Sequence, residues 1–259
     1  MKIIAANWKL QKNPLEARLF FTSLKEKLSA TGAGHSTNEK NSGKNNSQQK
    51  KLVIFPSSTC FESVAQAVAG TDWEWGSQNC YSEGKGAFTG EISAQVVKDM
   101  GGAWVLLGHS ERRTLFHESN EFIAQKLALV QSLGLQALLC IGETLSERES
   151  GKTNLVLKEQ LQKSLSQADQ QKALVIAYEP VWAIGTGKVA SVDQVKETHQ
   201  FVHATLLELG FSDRLPILYG GSVKPENTQE LTKIPHVDGF LIGGASLDPE
   251  SYSQIYLRS

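Results

Sequence analysis

The chain has 259 residues, 40% of them hydrophobic and 20% charged, with a formal net charge of -1. That is ordinary for a soluble globular protein, and leaves enough apolar material for a sizeable core in one large domain or two small ones. The charge excludes any global attraction to nucleic acid or an anionic membrane, so an anionic ligand has to be held by local groups.

The first strand is predicted over Lys2–Asn7, within the opening MKIIAANWKL. Its apolar stretch is too short for a signal peptide, and no later run approaches a transmembrane helix in length. Asn13 and Pro14 then open a helix with a cap and an N1 proline. Between Gly32 and Lys51 there is no Ile, Leu, Val, Met, Phe, Tyr or Trp. Such a segment cannot bury enough to offset its ordering entropy, so the sequence predicts a mobile inserted loop at about 32–51. Further strands are predicted at Leu52–Phe55, Trp73–Asn79 and Trp104–His109. Ser119 caps the helical stretch EFIAQKLALVQSLG, which ends at Gly134. Strands at Gln136–Ile141 and Leu174–Glu179 follow, then a helix from Ser191 to Gly210. The last two strands are predicted at Pro216–Tyr219 and Gly239–Ile242, and Asp248-Pro249 opens a short final helix.

Strands alternating with helices in this way point to an α/β fold, a single-domain (β/α)8 barrel. An open doubly wound sheet is the runner-up, but it would usually carry a glycine fingerprint after its first strand, where this chain has Asn7-Trp8-Lys9. In the barrel the polar loop joins the first helix to the second strand, on the face opposite the active-site loops. Cys60, Cys80 and Cys140 form no CxxC pair, which predicts a reduced, cytoplasmic protein and argues against structural zinc.

A barrel gathers its strand ends at one rim, and that is where the chemistry-bearing residues fall. Glu179 ends the apolar run LVIAY and opens EPVWAIGTGK, in which Gly185 and Gly187 let the backbone approach a ligand. Asn7 and Lys9 follow the first strand, and His109 ends the fourth in GHSERR, with Glu111 just beyond. Ser222 in YGGS, and Gly243 and Gly244 in IGGAS, follow the seventh and eighth strands. Backbone N–H groups there, with a short helix N-terminus, make an anion site and imply a phosphorylated ligand. Taken singly, a His is more often structural and a Gly-Gly is more often a turn. Their shared rim shifts the balance. Two decoys fail: Val189 follows Lys188 where a P-loop needs Ser or Thr, and the His-Ser-Glu at 109–111 has no PCxxC partner for a zinc deaminase.

The stretches NWK, GSQNCYSEGKGAFTGEIS, VLLGHSERR, CIGE, AYEPVWAIGTGK, LYGGSV and DGFLIGGASL resemble the triosephosphate isomerase family along nearly the whole chain. The resemblance implies a TIM barrel and an isomerase of glycolysis and gluconeogenesis. Such an enzyme interconverts dihydroxyacetone phosphate and D-glyceraldehyde 3-phosphate through an enediolate. By resemblance, Glu179 is the base, His109 the electrophile and Lys9 the charge stabiliser, with Asn7 beside it and Glu111 the second acid nearby. Pro180, Val181, Trp182, Ala183, Ile184, Gly185, Thr186, Gly187 and Lys188 match a closing lid. Gly185, Ser222, Gly243 and Gly244 match phosphate-gripping positions. Thr89 matches the tip of the loop that the family inserts into a partner, implying a homodimer. The resemblance implies triose phosphates as ligands and calls for no metal or organic cofactor, no nucleic acid and no membrane. The chain departs from the family's usual residues at Leu10-Gln11, at Phe55-Pro56-Ser57 and at His117, where glycine is usual. Two other readings are a different phosphate-binding barrel enzyme and a catalytically inactive phosphate-binding barrel acting as a binding protein. A triose phosphate assay separates the first, and the second would need a missing base, electrophile or lysine.

Overall fold

The computed structural model describes residues 1–31, 50–184 and 189–259. Eight parallel strands close into a barrel in chain order, with β8 returning to β1. They are β1 (Lys2–Asn7), β2 (Lys50–Phe55), β3 (Glu74–Ser77), β4 (Trp104–Leu107), β5 (Gln136–Ile141), β6 (Leu174–Tyr178), β7 (Ile217–Tyr219) and β8 (Gly239–Ile242). Between and after them run α1 (Pro14–Ala30), α2 (Phe61–Val68), α3 (Ala94–Asp99), α4 (Ser110–Leu115) and α5 (Asn120–Ser132). The outer ring continues with α6 (Leu145–Glu149), α7 (Thr153–Ser164), α8 (Val192–Glu208), α9 (Thr228–Thr232) and α10 (Pro249–Arg258).

The strands read as unbroken apolar runs because both of their faces are buried. Side chains alternate between two cores, as the two-residue period of a strand requires. In β1, Ile3 and Ala5 point into the barrel, where they meet Phe55, Trp104, Leu138 and Leu218. Ile4 and Ala6 point outward to the helices, onto Phe20, Phe21 and Tyr252. The helix starts follow the local sequence. Asn13 Oδ1 accepts from the N–H groups of Leu15 and Glu16, and Glu16 accepts in return from the Asn13 N–H at 2.7 Å. Ser191 and Gln194 make the same reciprocal cap on α8.

Several predicted boundaries shift. The structure starts β2 at Lys50, so the last two residues assigned to the polar loop belong to the sheet. They pair with Lys2 and Ile3, and their long stems run to the rim, Lys51 reaching Glu74 at 2.8 Å and Lys50 the carbonyl of Tyr256 at 2.7 Å. The remainder of that loop, residues 32–49, lies outside the described residues. β3, β4, β6 and β7 are shorter than predicted. At the upper rim the backbone leaves the ladder and finds other partners, as where Gly108 O accepts from Arg113 Nε at 2.7 Å. The final helix is longer than a short turn, ten residues, and is pinned by Tyr252 OH donating to Ile4 O. Among the described residues no helix is long and apolar enough to cross a membrane, and no group of three or more His, Cys, Asp or Glu could hold a metal ion.

Candidate active site

The C-terminal ends of the strands surround a cleft of about 420 Å³, lined among others by Asn7, Lys9, His109, Glu179, Ser222, Gly243 and Gly244. Seven of the residues read from the sequence therefore converge on one space. Gly185, Thr186, Gly187 and Lys188 lie outside the described residues. Of the segment before them, Val181–Ala183 form a single 3-10 turn, and Ala183 and Ile184 reach the cleft wall.

Glu179 stands one residue beyond β6. Its N–H donates to Ile141 O at 2.8 Å, so the β5–β6 ladder sets its height. The side chain is buried, and both carboxylate oxygens are occupied: Oε2 accepts the Ser110 N–H at 3.0 Å, and Oε1 lies 3.0 Å from His109 Nε2. Burial favours the neutral acid. His109, the Ser110 amide and Lys9 together outweigh it and hold the carboxyl below its ordinary range. Gly220 makes room for this side chain, since a Cβ there would sit 2.9 Å from Glu179 Cγ.

His109 is the N-cap of α4. Burial pulls the pKa of its imidazole down, Glu179 pulls it up, and the carboxylate prevails in this arrangement. The Glu111 N–H donates to Nδ1 at 3.2 Å. A ring that accepts at Nδ1 and donates at Nε2 is neutral, a tautomer assigned from its two partners. Charging it would mean giving up that amide, so the hydrogen bonds favour the neutral form. Most of the upward pull comes from Glu179 docked on Nε2, with a smaller part from Glu111.

Lys9 occupies the left-handed region at φ 52°. Asn7 Oδ1 accepts its N–H at 3.0 Å, and Gln78 Nε2 donates to its carbonyl at 2.8 Å, so two side chains hold this uncommon backbone. Its ammonium meets Glu111 Oε1 at 2.5 Å. On its other side the Lys9 stem lies beside the glycine pair, with Cε 3.5 Å from where a Gly243 Cβ would be. Among the described residues, no atom beyond its two chain neighbours comes within 4 Å of where a Gly244 Cβ would be, and Gly244 lines the cleft. The 3-10 turn Gly244–Ser246 is tied by Ser246 Oγ to Ile242 O at 3.0 Å.

Glu111 itself borders a second hollow of about 560 Å³ with Gln78, Gly90 and Phe116. Thr89 is exposed near its edge, next to Phe88, whose ring lies tilted against Tyr81 with centroids 4.3 Å apart. His117 lies at φ 55°, a left-handed conformation that glycine adopts more easily.

Sequence reading missed three groups. The Ser110 N–H is a backbone donor, which carries no residue signature. Gln78 looked like any polar residue. Glu143, within the CIGE stretch, is fully buried and its Oε1 receives Arg148 at 2.8 Å, Trp182 Nε1 at 2.9 Å and Tyr178 OH at 3.1 Å. Its place in the CIGE stretch and an arginine five residues later were the available hints.

A family model described as triosephosphate isomerase matches residues 2–258. The triosephosphate isomerase of Bdellovibrio bacteriovorus is 54% identical over 254 residues, covering 98% of each chain. That of Oleidesulfovibrio alaskensis is 44% identical over 262 residues, covering 99% of each. That of Chlamydia trachomatis serovar L2 is 44% identical over 257 residues, covering 98% of this chain and 88% of its own.

Proposed function

The chain belongs to the triosephosphate isomerase family, and from that premise we propose how its own residues interconvert dihydroxyacetone phosphate and glyceraldehyde 3-phosphate. Glu179 removes a proton from the carbon beside the carbonyl and returns it to the neighbouring carbon. A single carboxylate facing both carbons serves both half-reactions. To reach them it leaves the Ser110 amide and His109, which occupy its oxygens in the resting site. His109 then offers its Nε2–H to the enediolate oxygens. Triosephosphate isomerase is the standard example of a neutral imidazole electrophile, so that role is family knowledge and not a new finding.

Lys9 supplies the positive charge that the composition as a whole lacks, beside the amides of Gly243 and Gly244 and near Ser222. Those amides suit the substrate phosphate, and Asn7 keeps Lys9 in position. A positioned base contributes about 10²–10⁴-fold, and an oxyanion donor about 2.7–4 kcal/mol. Grip on the distant phosphate supplies further stabilisation at the reacting carbons. The observation that carries this reading is the convergence of Glu179, His109 and Lys9 on one cleft with the glycine pair. A dehydrogenase-coupled assay tests it. Glu179→Gln should lose turnover by two to four orders of magnitude, the range for a general base, with little change in affinity for inorganic phosphate. Unchanged turnover would remove Glu179 from the mechanism.

We further propose a cytoplasmic homodimer. Leu10, Leu115 and Phe116 are exposed apolar side chains, and a second copy's loop bearing Thr89 would cover the hollow beside Glu111. Three free, buried thiols suit a reducing compartment. Sedimentation at twice the 28.3 kDa chain mass is the expected result. An active monomer would refute the dimer.

A further inference from the structure

Gln160, on α7, grips a single residue of the loop beyond β5. Its Oε1 accepts the Gly142 N–H at 2.8 Å, and its Nε2 donates to Gly142 O at 2.9 Å. One side-chain amide thus satisfies both polar groups of that residue, as a neighbouring strand would. The β5–β6 register ends at Ile141 with Tyr178, and past it the Glu179 N–H to Ile141 O bond is the last of the ladder, which gives Gly142 itself no backbone partner there. The Glu179 carbonyl also approaches Gly142 so closely that a Cβ there would lie 1.8 Å from it.

The clasped residue sits between two others that matter to the site. Ile141, before it, accepts the Glu179 N–H at 2.8 Å. Glu143, after it, receives Trp182 and Tyr178 on its carboxylate, and its carbonyl accepts the Val181 N–H at 3.2 Å. A cavity of about 140 Å³ lies between Gln160, Gly142, Arg113 and Glu179. Close packing therefore does not hold the loop on this side, and without the clasp it can settle into the space. We propose that Gln160 is a positioning residue that fixes the Gly142 peptide, and through it the height of Glu179 over the cleft and of Glu143 under Trp182. The inference rests on Glu179 being the base.

The groups offered to phosphate, Ser222, Gly243 and Gly244, follow β7 and β8, and among the described residues none shares a hydrogen bond with Gln160 or Gly142. Loss of Gln160 should therefore separate kcat from KM. The test compares Gln160→Met, which keeps the length and removes both bonds, with Gln160→Glu, which keeps the acceptor and loses the donor. Leu161→Ala, a buried neighbour on the same helix, serves as the control for lost stability. In Gln160→Met, kcat should fall about tenfold or more, because small misplacements of a catalytic group carry large rate costs. KM and the inhibition constant of inorganic phosphate should stay within about twofold, as expected when only the reacting group is displaced. Gln160→Glu should lie between that variant and the wild type. Leu161→Ala should lower the melting temperature and leave kcat nearly unchanged.

The proposal is overturned if both Gln160 variants keep wild-type kcat, if KM rises as kcat falls, or if Leu161→Ala loses as much kcat. Should Gln160→Met fail to fold, Gln160→Glu decides by the same criteria. Wild type and Glu179→Gln in the same assay keep this outcome distinct. Loss of turnover on replacing Glu179 upholds the underlying reading whatever Gln160 shows.

Discussion

Gly142→Ala tests how tightly the base is held, and its effect can be worked from the geometry. Gly142 does not need glycine for its backbone angle, since its φ is not in the left-handed region. It needs glycine for space. An added Cβ would stand 1.8 Å from Glu179 O and 2.9 Å from Glu179 C, and real Cβ contacts essentially never fall below 3.0 Å. The two backbones would have to part by about 1.2 Å before the contact became tolerable. Neither yields easily. Glu179 is tied to Ile141 by the 2.8 Å bond of the ladder, and Gly142 is held on its other side by Gln160. The opening is therefore shared between the base and the Glu143 loop. A displacement near 1 Å at a catalytic group costs on the order of 10²-fold, so kcat should fall roughly that far. KM for glyceraldehyde 3-phosphate should change little. Overpacking of this kind also costs about 1–3 kcal/mol, a fall in melting temperature of roughly 2–12 °C for a domain of this size. Steady-state kinetics and a thermal melt on one preparation read both quantities. A folded Gly142→Ala enzyme with wild-type kcat would refute the claim that this contact sets the position of Glu179.

Other expected outcomes follow from the buried charges and the inserted segment. Lys126, buried on α5, donates to Glu118 at 2.6 Å and Asn79 at 3.0 Å, and Arg112 reaches the same Glu118 oxygen at 2.6 Å. Lys126→Met should cost about 1.5–3 kcal/mol in denaturant unfolding, because the buried carboxylate loses one charged hydrogen bond and keeps Arg112. Adding Glu118→Gln should recover part of the loss, and a cost below about 1 kcal/mol would show the pair to be slack. His199 is fully buried against Tyr178 and Tyr219, donates from Nδ1 to His236 O at 2.9 Å, and has no partner at Nε2 among the described residues. Burial drives its pKa down to about 4, and His236 and Lys2 add repulsion while the His236 carbonyl opposes the shift. The unfolded chain binds this proton near 6.5 and the folded chain near 4, so stability should decline as pH falls from 6.5 to 4. The loss should reach about 3 kcal/mol. His199→Asn keeps a donor without a titration, so its stability curve should be flatter across that window, and an unchanged slope would exclude His199 as the cause. Removing residues 33–48, which join α1 to the N-terminal end of β2, should leave kcat/KM within about threefold, since catalytic groups of such barrels gather at the other rim. A large loss would overturn the reading of this segment as an insertion.

The sequence by itself determined the eightfold alternation and the ends of β1, β5 and β8, because buried parallel strands leave continuous apolar runs bounded by polar residues or glycine. It also marked Asn7, Lys9, His109, Glu179, Ser222, Gly243 and Gly244, since a barrel sends every strand end to one rim and these positions need only their place along the chain. What it could not mark were groups whose meaning depends on which distant segments touch. The Ser110 amide becomes a partner of the base only because β4 and β6, the two strands that flank β5, end at the same rim. Gly220 is required only because Glu179 fills the space where its Cβ would be. Gln160 stands 19 positions before Glu179 on a helix and looks like an ordinary surface glutamine until the Gly142 peptide is seen beneath it. Periodicity records which face of an element is buried. It does not record what lies against that face, and that pairing was decided by closure of the barrel.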